Sequence, residues 1–462
     1  MNDPVLLSRL DALWDDLNLV REKLKKDTWS SAEQNSDTRA EMSADSLLWP
    51  GLEVTLGKQI EKKQNALKRI EESVITAKED DLCAMRAAWT DYATIFKESE
   101  SILHECLEII GTLAIRNKDL DQRILYVADE LIRECLSQST DHQDYYLLVH
   151  GLEDTVTKTK ARIIRLRFPE WTIWDLPLAA HELGYVLVTE TLKEENELEE
   201  DDRLWLPFVK EQSSSLVAVD SEFQKSQAGE IGQDQEADKW RESRVHKFLA
   251  DAFATYTMGP AYACSAILLR LNPSLGASCG TPSDIQRAQI ILSTLTCMDD
   301  KEKIMGPYTK VIEKLGEYWN STVSRVNPSG KLEPDYETWL WRLAEKFSKE
   351  LGPTTFRAPA LYAPIVEKRG WQRANEWSHE WLKQWNSNQN LSVPQPSNDN
   401  LRDALNATWL CRLQIHDDIK EQSRKFKELQ EVGRQLCTTI KTQQTTASQP
   451  QHGITPKAGG RG

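Results

Sequence analysis

Residues Ala179–Glu190 read A-A-H-E-L-G-Y-V-L-V-T-E and form the most informative segment of the chain. Asp175, which precedes it, is a residue type that caps helix N-termini, so the segment is predicted to be helical. On this helix His181 and Tyr185 are four positions apart and share one face, and Glu182 lies at the edge of that face. The helix therefore presents an imidazole, a phenol and a carboxylate side by side.

A second informative segment, residues 247–256, reads K-F-L-A-D-A-F-A-T-Y. It belongs to a helix predicted over about 237–258, which the dipeptide Gly259-Pro260 is expected to end. Lys247 stands four residues before Asp251, so the two side chains share a face and can form an ion pair.

Together the two segments resemble zinc metallopeptidases of the gluzincin type. H-E-L-G-Y is similar to the H-E-x-G-H motif with its last letter changed, and K-F-L-A-D-A-F-A is similar to the E-x-x-A-D-x-F-A helix that supplies a third zinc ligand. The resemblance covers about residues 165–295 and implies a zincin-like helical core.

The resemblance also implies a role for individual residues. His181 matches the first zinc ligand, and Glu182 matches the general base that acts on the metal-bound water. Asp251 matches the aspartate that orients the first histidine. Tyr185 stands at the second ligand position, and Lys247 stands at the third, where these families carry glutamate.

These two departures predict a degenerate zinc site. A phenol is a poor zinc ligand unless its pKa, ordinarily ~10, is strongly lowered, and an ammonium group has no lone pair to donate. His246 is an alternative ligand, but a shift of one position turns a helical side chain by about 100° onto another face. We therefore hypothesise that the charge of Lys247 replaces the metal beside Glu182 and Asp251.

Three functions follow from this pattern. The first is a non-catalytic pseudo-peptidase that binds a protein or peptide partner and needs no cofactor. The second is an active zinc endopeptidase with an atypical ligand set of His181, Tyr185 and either His246 or Asp251. The third is a structural helical scaffold in which the motif is a coincidence.

Composition narrows the classes of partner. Lys and Arg number 57 and Asp and Glu number 72, and the net charge of −15 argues against broad affinity for nucleic acid or anionic lipid. No stretch reaches the ~18 apolar residues of a spanning helix, so no membrane insertion is expected. The eight cysteines form no C-x-x-C pair and the N-terminus lacks a signal-peptide pattern, which predicts a cytoplasmic protein.

The fold class is predicted to be mainly α, with at most a short strand or hairpin near the core. Residues 145–166 are among those predicted to be helical. The expected regions are an N-terminal helical bundle or long hairpin (1–145), a metallopeptidase-like core (146–300), a Trp-rich helical region (301–391), a linker with a long C-terminal helix (392–440) and a disordered tail (441–462).

A stripe of tryptophans marks the Trp-rich region. Trp377, Trp381 and Trp385 follow one another at intervals of four and share one helix face. Buried aromatic side chains dominate helix packing, so a core stripe is the favoured interpretation. The alternative is an aromatic groove for a partner peptide.

Overall fold

The structure is a computed structural model of the whole chain. It describes residues 4–23, 42–76, 82–117, 124–136, 147–151, 163–167, 172–190, 205–219, 234–277, 280–299, 308–327, 331–352, 368–396, 400–415 and 419–447. These residues are mainly helical, which confirms the predicted fold class. No helix within them is both long and apolar enough to cross a membrane.

Contacts divide the chain into two units, and the first comprises residues 1–125 and 142–170. Its elements are α1 (Pro4–Lys23), α2 (Met42–Thr76), α3 (Leu82–Asn117), β1 (Leu147–Gly151) and β2 (Ile163–Arg167). The three helices pack against one another. Leucines three or four positions apart form the buried face of α1, as its periodicity predicts: Leu6, Leu10, Leu13 and Leu17.

The helix predicted over residues 145–166 is wrong at both ends, where β1 and β2 lie instead. β1 and β2 pair in parallel, with Leu147 opposite Ile163 and Gly151 opposite Arg167. They are not a hairpin, because a tight turn joins only antiparallel strands. The sequences L-L-V-H-G and I-I-R-L-R are only five residues long and rich in branched apolar residues, and over so short a length periodicity alone does not separate strand from helix.

The second unit comprises residues 126–141 and 171–462, and it joins helices that begin in four of the predicted regions. Its helices are α4 (Ile124–Leu136), α5 (Ala179–Glu190), α6 (Trp205–Leu216), α7 (Asp234–Met258), α8 (Pro260–Ser265), α9 (Asp284–Asp299), α10 (Thr309–Val326), α11 (Pro334–Lys346), α12 (Lys368–Asn386), α13 (Leu401–Leu413) and α14 (Ile419–Ala447). Short 3-10 or π-helical turns precede α5 and follow α8 and α11.

Helix α7 is the central element of the second unit. Every residue from 248 to 258 is buried, so this half of the helix has no solvent face. It packs against α5, α6 and α9. Alanines at 250, 252 and 254 keep its surface flat and allow neighbouring helices to approach closely.

The predicted break after α7 is present and is braced from α13. Gly259 has a φ of 62°, a conformation that favours glycine, and it separates α7 from α8. The buried side chain of Asn406 accepts a hydrogen bond from the Ala261 backbone N–H (2.9 Å) and donates one to the Met258 carbonyl (3.0 Å). One amide therefore satisfies backbone groups on both sides of the break.

The tryptophan stripe is part of the core. Trp377, Trp381 and Trp385 are all buried on α12, which packs against α13. The indole N–H of Trp381 donates to the Ser392 carbonyl (3.0 Å), so its polar edge is also satisfied. The core interpretation holds for these side chains, and they do not line an open groove.

The C-terminal region differs from its prediction in two ways. The expected single helix after the linker is two helices, α13 and α14, and α14 continues to Ala447. Residues 441–447, which we predicted to be disordered, are therefore helical, and 448–462 lie outside the described residues. Threonine hydroxyls bond back to carbonyls within α14, as Thr442 does to Thr438 (2.9 Å).

Candidate functional site

The two informative segments lie on helices that pack directly against each other, α5 and α7. Gly184 of α5 faces Phe253 of α7 at close range: a Cβ atom added at Gly184 would lie 2.8 Å from Phe253 Cδ1 and 3.1 Å from Phe253 Cβ. A residue without a side chain is thus required at this contact.

Replacing Gly184 with alanine is expected to lower the free energy of unfolding by about 1–2 kcal/mol. The clash with the stem of Phe253 costs ~1–3 kcal/mol as overpacking, and the better helix propensity of alanine returns up to ~1 kcal/mol. Urea denaturation measures the difference. Gly316→Ala on α10 is the matched control: no atom lies within 4 Å of its added Cβ, so it should stabilise by up to ~1 kcal/mol. Equal effects at both glycines would contradict the packing argument.

Asp251 is the centre of the site and is fully buried on α7. Arg287 of α9 binds it bidentately, with Nε 2.9 Å from Oδ2 and Nη2 2.9 Å from Oδ1. His181 Nδ1 lies 2.8 Å from Oδ1, and the Tyr262 hydroxyl donates to the same oxygen at 2.5 Å. We call these four residues, with Glu182, the His181 cluster.

The charges in the cluster fix the ionisation of Asp251. Burial alone would raise its pKa, but the guanidinium of Arg287 and the hydrogen bonds from Arg287 and His181 outweigh burial and hold the pKa well below its usual range. Burial alone would lower the pKa of Arg287, but the charge of Asp251 and its hydrogen bonds raise it. Asp251 and Arg287 therefore form a buried ion pair.

The imidazole of His181 is oriented through Nδ1. Its ring is nearly parallel to that of Tyr262 (interplanar angle 5°), and the Tyr262 hydroxyl oxygen lies 3.2 Å from Nδ1. Because the Tyr262 proton goes to Asp251, Nδ1 acts as the donor to both oxygens, an assignment from hydrogen-bond chemistry. Nε2 makes no hydrogen bond to any described residue, and the side chain is 12% exposed.

The other motif residues on α5 have different surroundings. Glu182 is buried, and Nη2 of Arg270 lies 3.9 Å from its Oε1. Tyr185 is half-buried, and burial, together with the charge of Glu182, raises the pKa of its phenol. Asp175 makes no side-chain cap to the helix, contrary to its predicted role; instead it accepts a hydrogen bond from Thr172 Oγ1 at 2.5 Å.

Lys247 is not the counter-charge that contacts Asp251. Its ammonium donates to Thr281 Oγ1 (2.7 Å), and no carboxylate of the described residues lies within 4.0 Å of it. Burial, with the nearby charge of Arg287, lowers the pKa of Lys247. The role of closest cation, which the sequence hypothesis gave to Lys247, belongs to Arg287.

His246 lies on a different face of α7 from Lys247. The side chain is 9% exposed, and Nε2 has no hydrogen-bond partner among the described residues. Burial lowers the pKa of His246 to about 4. The ring is therefore neutral near neutral pH.

The residues present do not fit a catalytic zinc centre. Within the described part of the chain, no group of three or more His, Cys, Asp or Glu side chains is arranged to hold a metal ion. Such a centre needs three protein ligands, and the position expected to supply the second carries a phenol with a raised pKa. At the third position Lys247 is an ammonium donor, so only His181 is a standard ligand.

Sequence analysis missed three residues of this site: Tyr262, Arg270 and Arg287. Arg287 had one available signal, since it is the one cationic residue of helix α9 and Asp251 required a counter-charge. Nothing in the sequence around Tyr262 and Arg270 marks them as neighbours of His181 and Glu182.

Comparisons of this chain with known protein families, with curated proteins and with solved structures found no match. The chemistry of the site itself is therefore the basis for its interpretation.

Proposed function

We propose that this protein is a non-catalytic, metallopeptidase-like protein that acts by binding a protein or peptide at the half-buried surface around His181. In this proposal the His181 cluster is a zinc site in which arginine has taken the place of the metal ion. Arginine suits this position because its planar fork matches a carboxylate and its charge is kept even when it is buried.

The bidentate contact between Arg287 and Asp251 carries the proposal. A carboxylate that supports a zinc-binding histidine shares the charge of the dication. Here both oxygens of Asp251 are engaged by a guanidinium, and Arg270 lies beside Glu182. The protein itself thus supplies the positive charge that a metal would bring, so removal of the metal leaves no uncompensated buried carboxylate.

Binding, rather than a purely structural role, is supported by polar groups that remain available at the surface of the site. His181 Nε2 and two of the ammonium protons of Lys247 make no hydrogen bond to described residues. Both side chains are partly exposed, as is the phenol of Tyr185. A peptide backbone offers the carbonyl acceptors and N–H donors that such groups bind.

The purified protein is expected to hold less than about one zinc per ten chains after dialysis, because one imidazole gives only a fraction of the binding energy of a three-ligand site. Elemental analysis by mass spectrometry measures the zinc content. Tyr185→His with Lys247→Glu is the companion variant, since it restores the side chains of the H-E-x-G-H and E-x-x-A-D patterns. Adding Arg287→Met to it removes the competing cation, and zinc binding should be strongest in this triple variant.

Stoichiometric zinc in the unaltered protein would contradict the proposal. Chelator-sensitive cleavage of casein or a peptide library, lost in Glu182→Gln, would establish the active zinc endopeptidase in its place. These assays use the full chain and need no knowledge of the natural partner.

The binding function has its own test. Peptides selected from a displayed random library against the full chain are expected to lose affinity when Tyr185 or Lys247 is replaced by alanine. Lys239→Ala, at an exposed position on α7, is the matched control and should have no effect. If selected peptides bind all three variants equally, the surface around His181 is not the binding site.

A further inference from the structure

A second cation, Arg412, is held in an unusual setting far from the motif residues in sequence. It lies in the last turn of α13, and its guanidinium carbon is 4.6 Å from the ring centroid of Trp174, 4.9 Å from that of Trp409 and 4.5 Å from that of Phe426. We call these three rings the aromatic clamp.

The aromatic clamp fixes the position of the guanidinium. Its rings come from three different parts of the chain: the segment before α5, helix α13 and helix α14. Trp174 and Trp409 are buried and pack edge to face at 5.1 Å. Guanidinium faces bind aromatic rings favourably and are weakly hydrated, so the clamp orients Arg412 without any acceptor.

The side-chain N–H donors of Arg412 have no acceptor within the described part of the chain. None of them hydrogen-bonds to a described residue, and no carboxylate of the described residues lies within 4.0 Å. The side chain is nevertheless only partly exposed, and this burial lowers the pKa of Arg412. Most other arginines that the structure describes in the second unit form ion pairs: Arg424, for example, pairs with both Glu421 and Glu428.

The ionisable groups nearest to Arg412 do not compensate it by contact. Asp175 acts on it from beyond 4.0 Å, and burial raises the pKa of that carboxyl. Cys264 is a buried thiol whose pKa burial raises, so it stays neutral. An oriented, partly desolvated guanidinium that no described carboxylate contacts is the arrangement that recognises an oxyanion.

We propose that Arg412 and the aromatic clamp form a binding site for the carboxylate or phosphate group of a small ligand. The rings cover the faces of the guanidinium, and its edge receives two ligand oxygens in a bidentate hydrogen bond. The site shares no residue with the His181 cluster, and its test does not depend on the function proposed above.

The test is calorimetric titration of the full chain with inorganic phosphate and, separately, with acetate, at constant ionic strength. Saturable binding of at least one anion is expected. The anion that binds more tightly identifies the ligand group as a phosphate or a carboxylate. Arg412→Gln should weaken it by about tenfold or more, since charge-assisted bonds are lost. Arg412→Lys keeps the positive charge but loses the planar guanidinium fork, so its affinity for the anion should lie between those of the unaltered protein and Arg412→Gln. The matched control Arg424→Gln should bind as the unaltered protein does.

Absence of binding by the unaltered protein, or equal binding by Arg412→Gln, would overturn the proposal. If Arg412→Gln fails to fold by circular dichroism, Arg412→Lys alone decides, and undiminished affinity in that variant also overturns it. Asp417 and Asp418 follow closely in sequence and lie outside the described residues. Binding seen only after both are changed to asparagine would show that the chain's own carboxylates occupy the site, and would likewise reject a separate ligand.

Discussion

Replacing Arg287 with methionine is expected to lower the free energy of unfolding of the second unit by about 3–5 kcal/mol. The change leaves Asp251 fully buried without its bidentate partner. Removal of one member of a buried ion pair exposes the full desolvation penalty of the other. Urea denaturation followed by tryptophan fluorescence measures the loss, because most tryptophans belong to the second unit.

The matched control is Lys247→Met. It removes a cation from the same helix as Asp251, yet Lys247 forms no ion pair with the described residues, so the cost should stay below about 1 kcal/mol. Arg287→Met combined with Asp251→Asn should recover part of the stability, since an amide is less costly to bury than a carboxylate. A smaller loss for Arg287→Met than for Lys247→Met would return the role of counter-charge to Lys247.

The helices were predictable because their signal is local. The leucine periodicity of α1 appears in the sequence, and the same leucines form the buried core. The glycine-proline break after α7 is equally local, since Gly259 takes a conformation that other residues adopt only with strain. Packing of the buried faces then stabilises the helices that the periodicity predicts.

The strands and the end of α14 were not predictable from the same signals. β1 and β2 are each five residues long, and each is stabilised by the other, which lies outside any local window. In α14 the polar composition after residue 440 indicates disorder, but buried residues such as Leu436 and Ile440 anchor the preceding turns and the helix continues.

Some residues of the site were likewise predictable from the sequence, and others were not. The two motif segments placed His181 and Asp251 in one hypothesis, and in the structure His181 Nδ1 lies 2.8 Å from Asp251 Oδ1 although the residues are distant in sequence. Arg287 lies 36 positions after Asp251, and no sequence rule relates the two. The local rule that pairs residues four apart favoured Lys247 as the partner of Asp251. In the structure the guanidinium of Arg287 binds the Asp251 carboxylate instead, and its planar fork matches the two oxygens better than an ammonium group does.

His246 provides the second large effect, and it depends on pH. Burial lowers its pKa from the usual 6.5 to about 4, so the folded protein holds it neutral while the unfolded chain protonates it below pH 6.5. Between these two values the unfolded state binds more protons, and the free energy of unfolding must fall as the pH falls. The expected loss across this window is about 3 kcal/mol, because each unit of pKa difference corresponds to ~1.4 kcal/mol.

The variant His246→Phe separates this effect from other acid-sensitive groups. The phenyl ring has no titratable group, and the change also removes Nε2, which has no hydrogen-bond partner among the described residues, from the interior. The stability of the variant should therefore change far less between pH 6.5 and 4. Asp251 does not contribute to the change between pH 6.5 and 4. Its pKa is held below its usual range, so the stability that its ionised form provides is lost only at lower pH. His379→Phe, at an exposed position on α12, is the matched control. An unchanged pH dependence in His246→Phe, or an NMR titration midpoint of His246 near 6.5, would show that this ring is not buried as the structure places it, and α7 would then pack differently along this face.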